Sequence, residues 1–387
     1  MHLVSITAVL ASAALGVLAW GSPAPGWVQA AAILMPVLWA SASNRWIAGL
    51  IVMAYTTAAS RGLIPGIAEF FGTNLVHGLA LWLAAGLFTG LAGWACWHRS
   101  AIGRVLLLPV LLVALIVPPA GLVGWAHPIT AAGWIFPGTA WLGLAATAAL
   151  AMLLAWRSPL FNALVAFLPI LAVSATLSAP AEIPASWEGH NTAFRFGVGS
   201  LNERDPMREI RRHWAMQSQV AEATGPVHVL PETVGGRWNN QASADWQRLL
   251  ADMPGHTVLM GAYEPLPGGD YNNALVEITA EGSRIAYRQR TPIPVGMWRP
   301  WDDASAVPQW ISQPGTVAVA GRQAAVLVCY EALLVWPVLH SVLDQPELFV
   351  SIASTWWAPE SIHRSQRHAM QSWARLFQIP LVEAYNL

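Results

Sequence analysis

The sequence predicts a multi-span α-helical membrane domain joined to an α/β sandwich with helices outside paired sheets. Three observations carry this. Charge nearly vanishes from the first 180 residues, strands alternate with helices after residue 190, and a Pro-bearing segment separates the two regions. The whole chain is 55% hydrophobic and 11% charged, against roughly 25% charged in an ordinary soluble domain. Residues 1–180 hold five arginines (Arg45, Arg61, Arg99, Arg104, Arg157) and one acid, Glu69. The remaining residues hold the other 15 arginines and 20 acids. The expected organisation is a membrane domain over 1–179, a linker over 180–190 containing Pro180 and Pro184, and an α/β domain over 191–387.

A helix needs about 20 apolar residues to cross a bilayer's hydrocarbon core. Seven segments are candidates: Leu3–Trp20, Trp27–Ala42, Trp46–Ser60, Thr73–Trp97, Val105–Trp125, Trp134–Trp156 and Leu160–Ala179. The second and third are short enough to form a re-entrant pair. Pro118-Pro119 is expected to kink the fifth. Trp20, Trp97, Trp125 and Trp156 stand at segment ends, as in interfacial aromatic belts. The first segment lacks the basic n-region of a signal peptide. With the N-terminus in the cytoplasm, Arg45, Arg99, Arg104 and Arg157 fall in inside loops and only Arg61 outside. That asymmetry places the polar half in the periplasm, with the chain in a bacterial inner membrane. His77 is the main ionisable group within the segments, which argues against a solute channel.

In the polar half, Phe194–Leu201 reads as a strand, Pro206–Ala223 as a helix and Val227–Leu230 as a strand ending at Pro231-Glu232. Gln241–Met253 is helical, and Thr257–Tyr263 is a strand. Asn273–Thr279 with Arg284–Arg290, and Val317–Ala320 with Ala324–Cys329, read as hairpins. A helix from Glu331 to Leu343, a strand over Leu348–Ala353, a helix over Ser361–Phe377 and a strand over Pro380–Ala384 complete the pattern. Such a mixture of alternation and hairpins implies two packed sheets with outer helices.

Two strand ends draw attention chemically. Glu232 closes one in Val-Leu-Pro-Glu-Thr, and Cys329 closes another in Val-Leu-Val-Cys-Tyr-Glu, just before a helix. A thiol at such a turn projects from the sheet edge and gains from the helix N-terminus. A buried carboxyl of raised pKa can serve it as general base. Glu331 brings a second carboxylate two residues on. Taken singly, a cysteine after an apolar strand is more often a small core residue, and a glutamate ending a strand is more often solvated.

Leu-Pro-Glu at 230–232, the stretch from Tyr287 to Pro294-Val295-Gly296, and Cys329-Tyr330-Glu331 resemble the nitrilase (carbon–nitrogen hydrolase) superfamily in order and spacing. With apolar segments upstream, the arrangement is similar to apolipoprotein N-acyltransferases. More closely, the chain resembles the Ti-type TraB family of conjugal transfer proteins. The resemblance includes the word Gly124-Trp125-Ala126-His127-Pro128-Ile129-Thr130-Ala131-Ala132-Gly133, Pro292 to Trp298, and the ending from Ala374-Arg375-Leu376-Phe377 through Asn386. It implies a nitrilase-like α-β-β-α sandwich, with Glu232 as general base, Cys329 as nucleophile and Glu331 as auxiliary carboxylate. The implied reaction passes through a thioester on Cys329 to water or an amine.

Two departures stand out. The family's lysine falls at Gln289, two residues after Tyr287, and the chain contains no lysine at all. Losing one oxyanion donor costs about 10²–10³ in rate. On a regular strand Arg288 and Arg290 would face away from Gln289, and only a bulge would turn Arg290 inward as substitute oxyanion support. The second departure is at Leu387, where apolipoprotein N-acyltransferases continue with further strands and a membrane helix, so an exposed or partner-covered sheet edge is expected. Trp298, Trp301, Trp336, Trp356 and Trp357 gather near the site in sequence, as an apolar entrance for an acyl chain or as ordinary packing.

Two functions stay open: a periplasm-facing cysteine acyltransferase or amidase of conjugal transfer, or a silent nitrilase-like scaffold. Membrane lipid, and a lipoprotein or pilus and mating-pair components, are the expected partners. Net charge is −1 with no basic stripe for nucleic acid. The histidines lack ligand spacing, so neither metal nor cofactor is expected.

Overall fold

The computed structural model describes residues 2–156, 165, 169, 172–173, 179–195 and 206–387. The chain forms two compact units. The first comprises Met1–Ala181 with Leu333–Trp336 and Ala358–Gln378; the second comprises Glu182–Ala332, Pro337–Trp357 and Ile379–Leu387.

The first unit is helical: α1 (His2–Gly16), α2 (Leu34–Ala40), α3 (Arg45–Ala59), α4 (Leu63–Phe71), α5 (Leu75–Ala95), α6 (Ala101–Ala114), α7 (Ala132–Ile135) and α8 (Ala140–Ala155). Asn44 and Asn74 cap α3 and α5 by accepting backbone N–H bonds of their first turns. Helix α3 packs on α1 and α5. Thr56 of α3 and Thr89 of α5 share a hydroxyl bond of 2.7 Å, and the Trp39 indole of α2 donates to the Gly93 carbonyl of α5 at 2.8 Å.

The seven expected segments do not emerge as seven long helices. Among the described residues, α5 alone is long and apolar enough to cross a membrane; α3 and α4, bent by 57°, would make a second if counted as one span. The fifth segment stops at Ala114, because Pro118 has no N–H to give the Ala114 carbonyl. The sixth is split into α7 and α8 around Pro137-Gly138, with Gly138 at φ 74°. The seventh lies almost wholly outside the described residues.

The second unit holds two sheets. The first runs β1 (Trp187–Gly189), β2 (Val227–Leu230), β3 (Thr257–Pro265), β4 (Tyr271–Ile278) and β5 (Ser283–Arg288), parallel from β1 to β3 and antiparallel from β3 to β5. In the second, β6 (Val317–Val319) pairs antiparallel with β7 (Arg322–Val328), followed in parallel by β8 (Leu348–Ser354) and β9 (Leu381–Asn386). The β6–β7 turn is the two-residue Ala320-Gly321, both at positive φ, which matches the twist of a hairpin.

One core joins the inner faces: Val229, Leu259, Leu275 and Tyr287 of the first sheet pack with Val326, Val328, Val350, Ile352 and Val382 of the second. The first sheet's other face, including Leu230, Met260 and Val276, is covered by Met216 and Val220 of α9 (Pro206–Glu222) and by Trp246 and Leu250 of α10 (Asn240–Ala251). Of the expected helix–sheet–sheet–helix layers, these residues make the first three: helix, sheet and sheet.

Three corrections follow. Strand β1 forms at Trp187–Gly189, inside the segment read as linker, where it pairs with β2; residues 196–201 of the strand expected instead lie outside the described ones. The helix expected from Glu331 is a 3₁₀ turn over Cys329–Leu333 followed by α11 (Val335–Leu343). The last helix, α12 (Glu360–Phe377), groups by its contacts with the N-terminal helices rather than with the sheets. Its Ser365 hydroxyl donates to the Trp20 carbonyl and its Ser372 hydroxyl to the Thr130 carbonyl.

Candidate active site

Strand β2 delivers Glu232 just past its end, and the next residue, Thr233, sits at φ 63°. A β-branched residue in the left-handed region is a conformational outlier. The neighbouring β3 makes room with Gly261. A side-chain carbon there would collide with the Glu232 Cα and the Pro231 carbonyl, whereas the Gly261 N–H donates to that carbonyl at 3.1 Å. Glu232 is thereby pressed into the protein, 3% exposed.

Cys329 arrives from the other sheet. Strand β7 ends at Val328, and Cys329 takes φ 52° before the 3₁₀ turn begins. Left-handed backbone costs a non-glycine residue about 1–2 kcal/mol, so the sharp exit must be held by its surroundings. The thiol hydrogen-bonds the Glu232 carboxyl, and the Ser354 and Tyr330 N–H groups approach the sulfur. The two residues singled out from opposite strand ends therefore meet.

Their environment sets their protonation. Burial pushes Glu232 up to about 7, against hydrogen bonds from Cys329, from the Ser354 N–H at 2.8 Å and from Asn273 Nδ2 at 2.5 Å. Burial and the adjacent Glu232 push the Cys329 thiol well above its ordinary range. At neutral pH the pair rests as a neutral thiol beside a carboxyl poised between its two forms. Attack by sulfur then requires the proton to pass to Glu232.

Glu331 does a different job. It is fully buried, and its oxygens accept from the Tyr287 hydroxyl at 3.0 and 2.9 Å and from the N–H groups of Val328, Arg290 and Thr291 at 2.9, 2.6 and 3.1 Å. Its carboxylate ties the end of β5 to the residue preceding the thiol, which makes it a positioning group. Burial raises its pKa, with Arg290 and these donors opposing.

The regular alternation expected for Arg288, Gln289 and Arg290 ends because β5 stops at Arg288. A register shift does occur in the β4–β5 ladder, between Leu275 and Val276. Arg288 turns outward to Glu264, with Nε and Nη2 at 2.6 and 2.7 Å from its oxygens. Arg290 is wholly buried, but its guanidinium meets the Tyr287 hydroxyl, His340 and Ser341 at 2.8, 2.7 and 2.8 Å, and Glu331 at 3.7 Å. Through these bonds it holds Glu331. Gln289 occupies that position as a neutral brace. Its Nε2 donates to the Val328 carbonyl at 2.9 Å, and its Oε1 accepts from Asn273 Nδ2 at 3.0 Å.

Sequence reasoning missed Asn273, which links Glu232 to Gln289. Its signal was two asparagines, Asn272 and Asn273, in a buried strand, where asparagine is disfavoured. Tyr263 was missed too: it hydrogen-bonds Thr233, and its hydroxyl is raised by burial and by nearby Tyr271, Glu232 and Cys329. The five tryptophans have different surroundings. Trp301 is 71% exposed, Trp298 stacks edge-on with Trp310, Trp356 packs on the outer core of the first sheet, Trp357 bonds the Ser354 carbonyl, and Trp336 belongs to the first unit. Among the described residues, no group of His, Cys, Asp or Glu is arranged to hold a metal ion.

No family model matches the chain. Curated relatives do. The chain is 36% identical to the conjugal transfer protein TraB of Agrobacterium fabrum, over 98% of this chain and 92% of that protein. It is 35% identical to the probable conjugal transfer protein TraB of Sinorhizobium fredii, over 100% and 99%. Solved structures that overlap part of it include a Nesterenkonia amidase from the nitrilase superfamily, 14% identical over 44% of this chain and 67% of that chain, with a TM-score of 0.33. A carbon–nitrogen hydrolase from Helicobacter pylori is 14% identical over 51% and 72%, with a TM-score of 0.36.

Proposed function

The chain belongs to the TraB family of conjugal transfer proteins, and we propose that it serves conjugal transfer as a membrane-bound cysteine acyltransferase or amidase. The observation that carries this reading is the Cys329 thiol bonded to a Glu232 carboxyl held at about 7. As Sγ attacks an acyl carbonyl, Glu232 takes the thiol proton and a Cys329–acyl bond forms. Collapse of the tetrahedral intermediate expels an amine or alcohol, which takes that proton from Glu232. An acceptor amine or water then attacks the thioester, gives its proton through Glu232 to the departing sulfur, and regenerates the thiol. The Tyr330 N–H, which approaches the sulfur, is a donor available to the developing oxyanion.

Membrane attachment is supported by α5, on which Leu75, Val76, Leu79, Leu87, Phe88 and Leu91 are all exposed. One exposed apolar face of such extent needs lipid or protein to cover it. Arginine asymmetry favours the periplasm for the second unit, with an acyl lipid as donor and a lipoprotein or pilus component as acceptor. The scaffold alternative is favoured by one observation: Gln289 is braced by Asn273 and Val328 where a lysine would supply charge.

Intact-mass measurement of the full chain after incubation with a short-chain thiol-reactive acyl ester tests the reading. A labile adduct lost in Cys329→Ser, with DNA-transfer frequency lost in parallel, is expected. No adduct and normal transfer by Cys329→Ser would leave the scaffold. A reporter fused after Leu387 that is active only in the cytoplasm would contradict the periplasmic placement.

A further inference from the structure

Two stretches that the sequence singles out, residues 124–133 and Ala374–Phe377, take no part in the Cys329 site. Both lie in the first unit, and there they meet. Gly133 lies against α12: a side-chain carbon at that position would collide with the Ser372 carbonyl. Ser372 in turn bonds the Thr130 carbonyl, and the Gly138 N–H donates to the Arg375 carbonyl at 2.9 Å. This close approach carries the Arg375 guanidinium over Trp134, 5.0 Å from the ring centroid. The Trp134 indole N–H donates to Gln29 Oε1 at 3.0 Å, so one side chain holds both neighbours.

All three are buried, Gln29 at 1%, Trp134 at 7% and Arg375 at 8% exposure. Yet Arg375 Nε and Nη2, and Gln29 Nε2, have no acceptor among the described residues. No described carboxylate forms an ion pair with Arg375 either. Helix α12 carries Arg364, Arg367 and Arg375 against Glu360 as its one acid, while burial pushes His363 and His368 down to about 4 and leaves them uncharged at neutral pH. His368 also comes near Trp134, since a carbon added to Gly26 would touch both rings. A buried cation without an anionic partner is costly. Buried donors of this kind are ordinarily satisfied. Nε and Nη2 together form the edge of a guanidinium that takes two oxygens of one anion. A tetrahedral oxyanion meets that edge with two oxygens and keeps further oxygens for a third donor such as Gln29 Nε2.

We propose that Arg375, seated on Trp134 beside Gln29, is a binding site for a phosphate oxyanion, supplied as free phosphate or as the phosphodiester of an anionic phospholipid headgroup. The site is independent of the catalytic reading, because it uses none of the residues around Cys329.

The test uses the purified full chain in maltoside micelles. Thermal unfolding is followed with sodium phosphate, with sodium acetate, and with phosphatidylglycerol added to the micelle; lipid adducts are counted by native mass spectrometry. A rise in midpoint with phosphatidylglycerol and one retained adduct, both lost in Arg375→Gln, support the site with lipid as source. A rise with phosphate alone, lost in the same variant, supports it with the free ion as source. Without ligand, Arg375→Gln should be at least as stable as the parent, because it removes an unpaired charge. Arg375→Lys keeps the charge but not the fork and should bind about tenfold more weakly. Should Arg375→Gln fail to fold, Arg375→Lys and Gln29→Leu decide the matter, each expected to weaken binding. Equal responses to acetate and phosphate, no response to any probe, or a response unchanged in these variants would overturn the proposal.

Discussion

Glu232→Gln separates the chemistry of the site from its packing. The carboxyl sits at about 7 where its ordinary value is 4.5, so the folded chain holds the proton more tightly than the unfolded chain. Its stabilising contribution is complete below pH 4.5 and is lost as pH rises through about 7. The linkage relation gives a loss of about 2.5 kcal/mol between pH 5 and pH 8. Glutamine cannot ionise, so the variant lacks this slope. It also has one oxygen where Glu232 uses two, for Asn273 and for the Ser354 N–H. One buried donor is orphaned at every pH, at about 1–2 kcal/mol. The variant should therefore be equal to the parent or about 1 kcal/mol less stable at pH 5, and about 1–2 kcal/mol more stable at pH 8. Denaturant unfolding of the full chain in detergent, parent and variant side by side, measures the crossing. Parallel stability curves across this range would refute the assignment of a near-neutral carboxyl to Glu232.

Three further substitutions probe the supports. Gly261→Ala should push the Glu232 backbone away from β3 and cut the rate of acylation at Cys329 about 10²-fold, measured by mass spectrometry, while the pairing of β3 with β4 persists. Tyr287→Phe removes the hydroxyl shared by Glu331 and Arg290 and should cost about 1–3 kcal/mol in unfolding free energy, because both partners stay buried. Gln289→Lys restores a cation next to Asn273 and the thiol strand. It should lower the pKa of both Glu232 and Cys329 and speed iodoacetamide alkylation of Cys329 at neutral pH about tenfold, visible as a shift of the pH–rate profile to lower pH.

Much of the site was legible because it is local. Leu-Pro-Glu and Cys-Tyr-Glu mark ends of apolar strands, and a strand end followed by a turn exposes the next side chain at the sheet edge whatever the rest of the fold does. Period and turn residues likewise located β2, β3, β7 and β8 within a residue or two at most boundaries. The apolar half was legible as composition, but its helix lengths were not, since Pro118 and Pro137-Gly138 interrupt windows that average hydropathy reads as continuous.

Sequence by itself therefore determined which residues could react and roughly which elements would carry them, because both follow from neighbours along the chain. Tertiary structure decided what surrounds them. Glu232 finds Asn273 across 41 residues and the Ser354 N–H across 122, and Arg290 is drawn to Tyr287, Ser341 and Glu331. Helix α12 joins the N-terminal helices instead of the strands that flank it in the chain. Such partners are set by strand register and by the need to satisfy every buried donor at once, a condition on the whole packed molecule that no local pattern encodes.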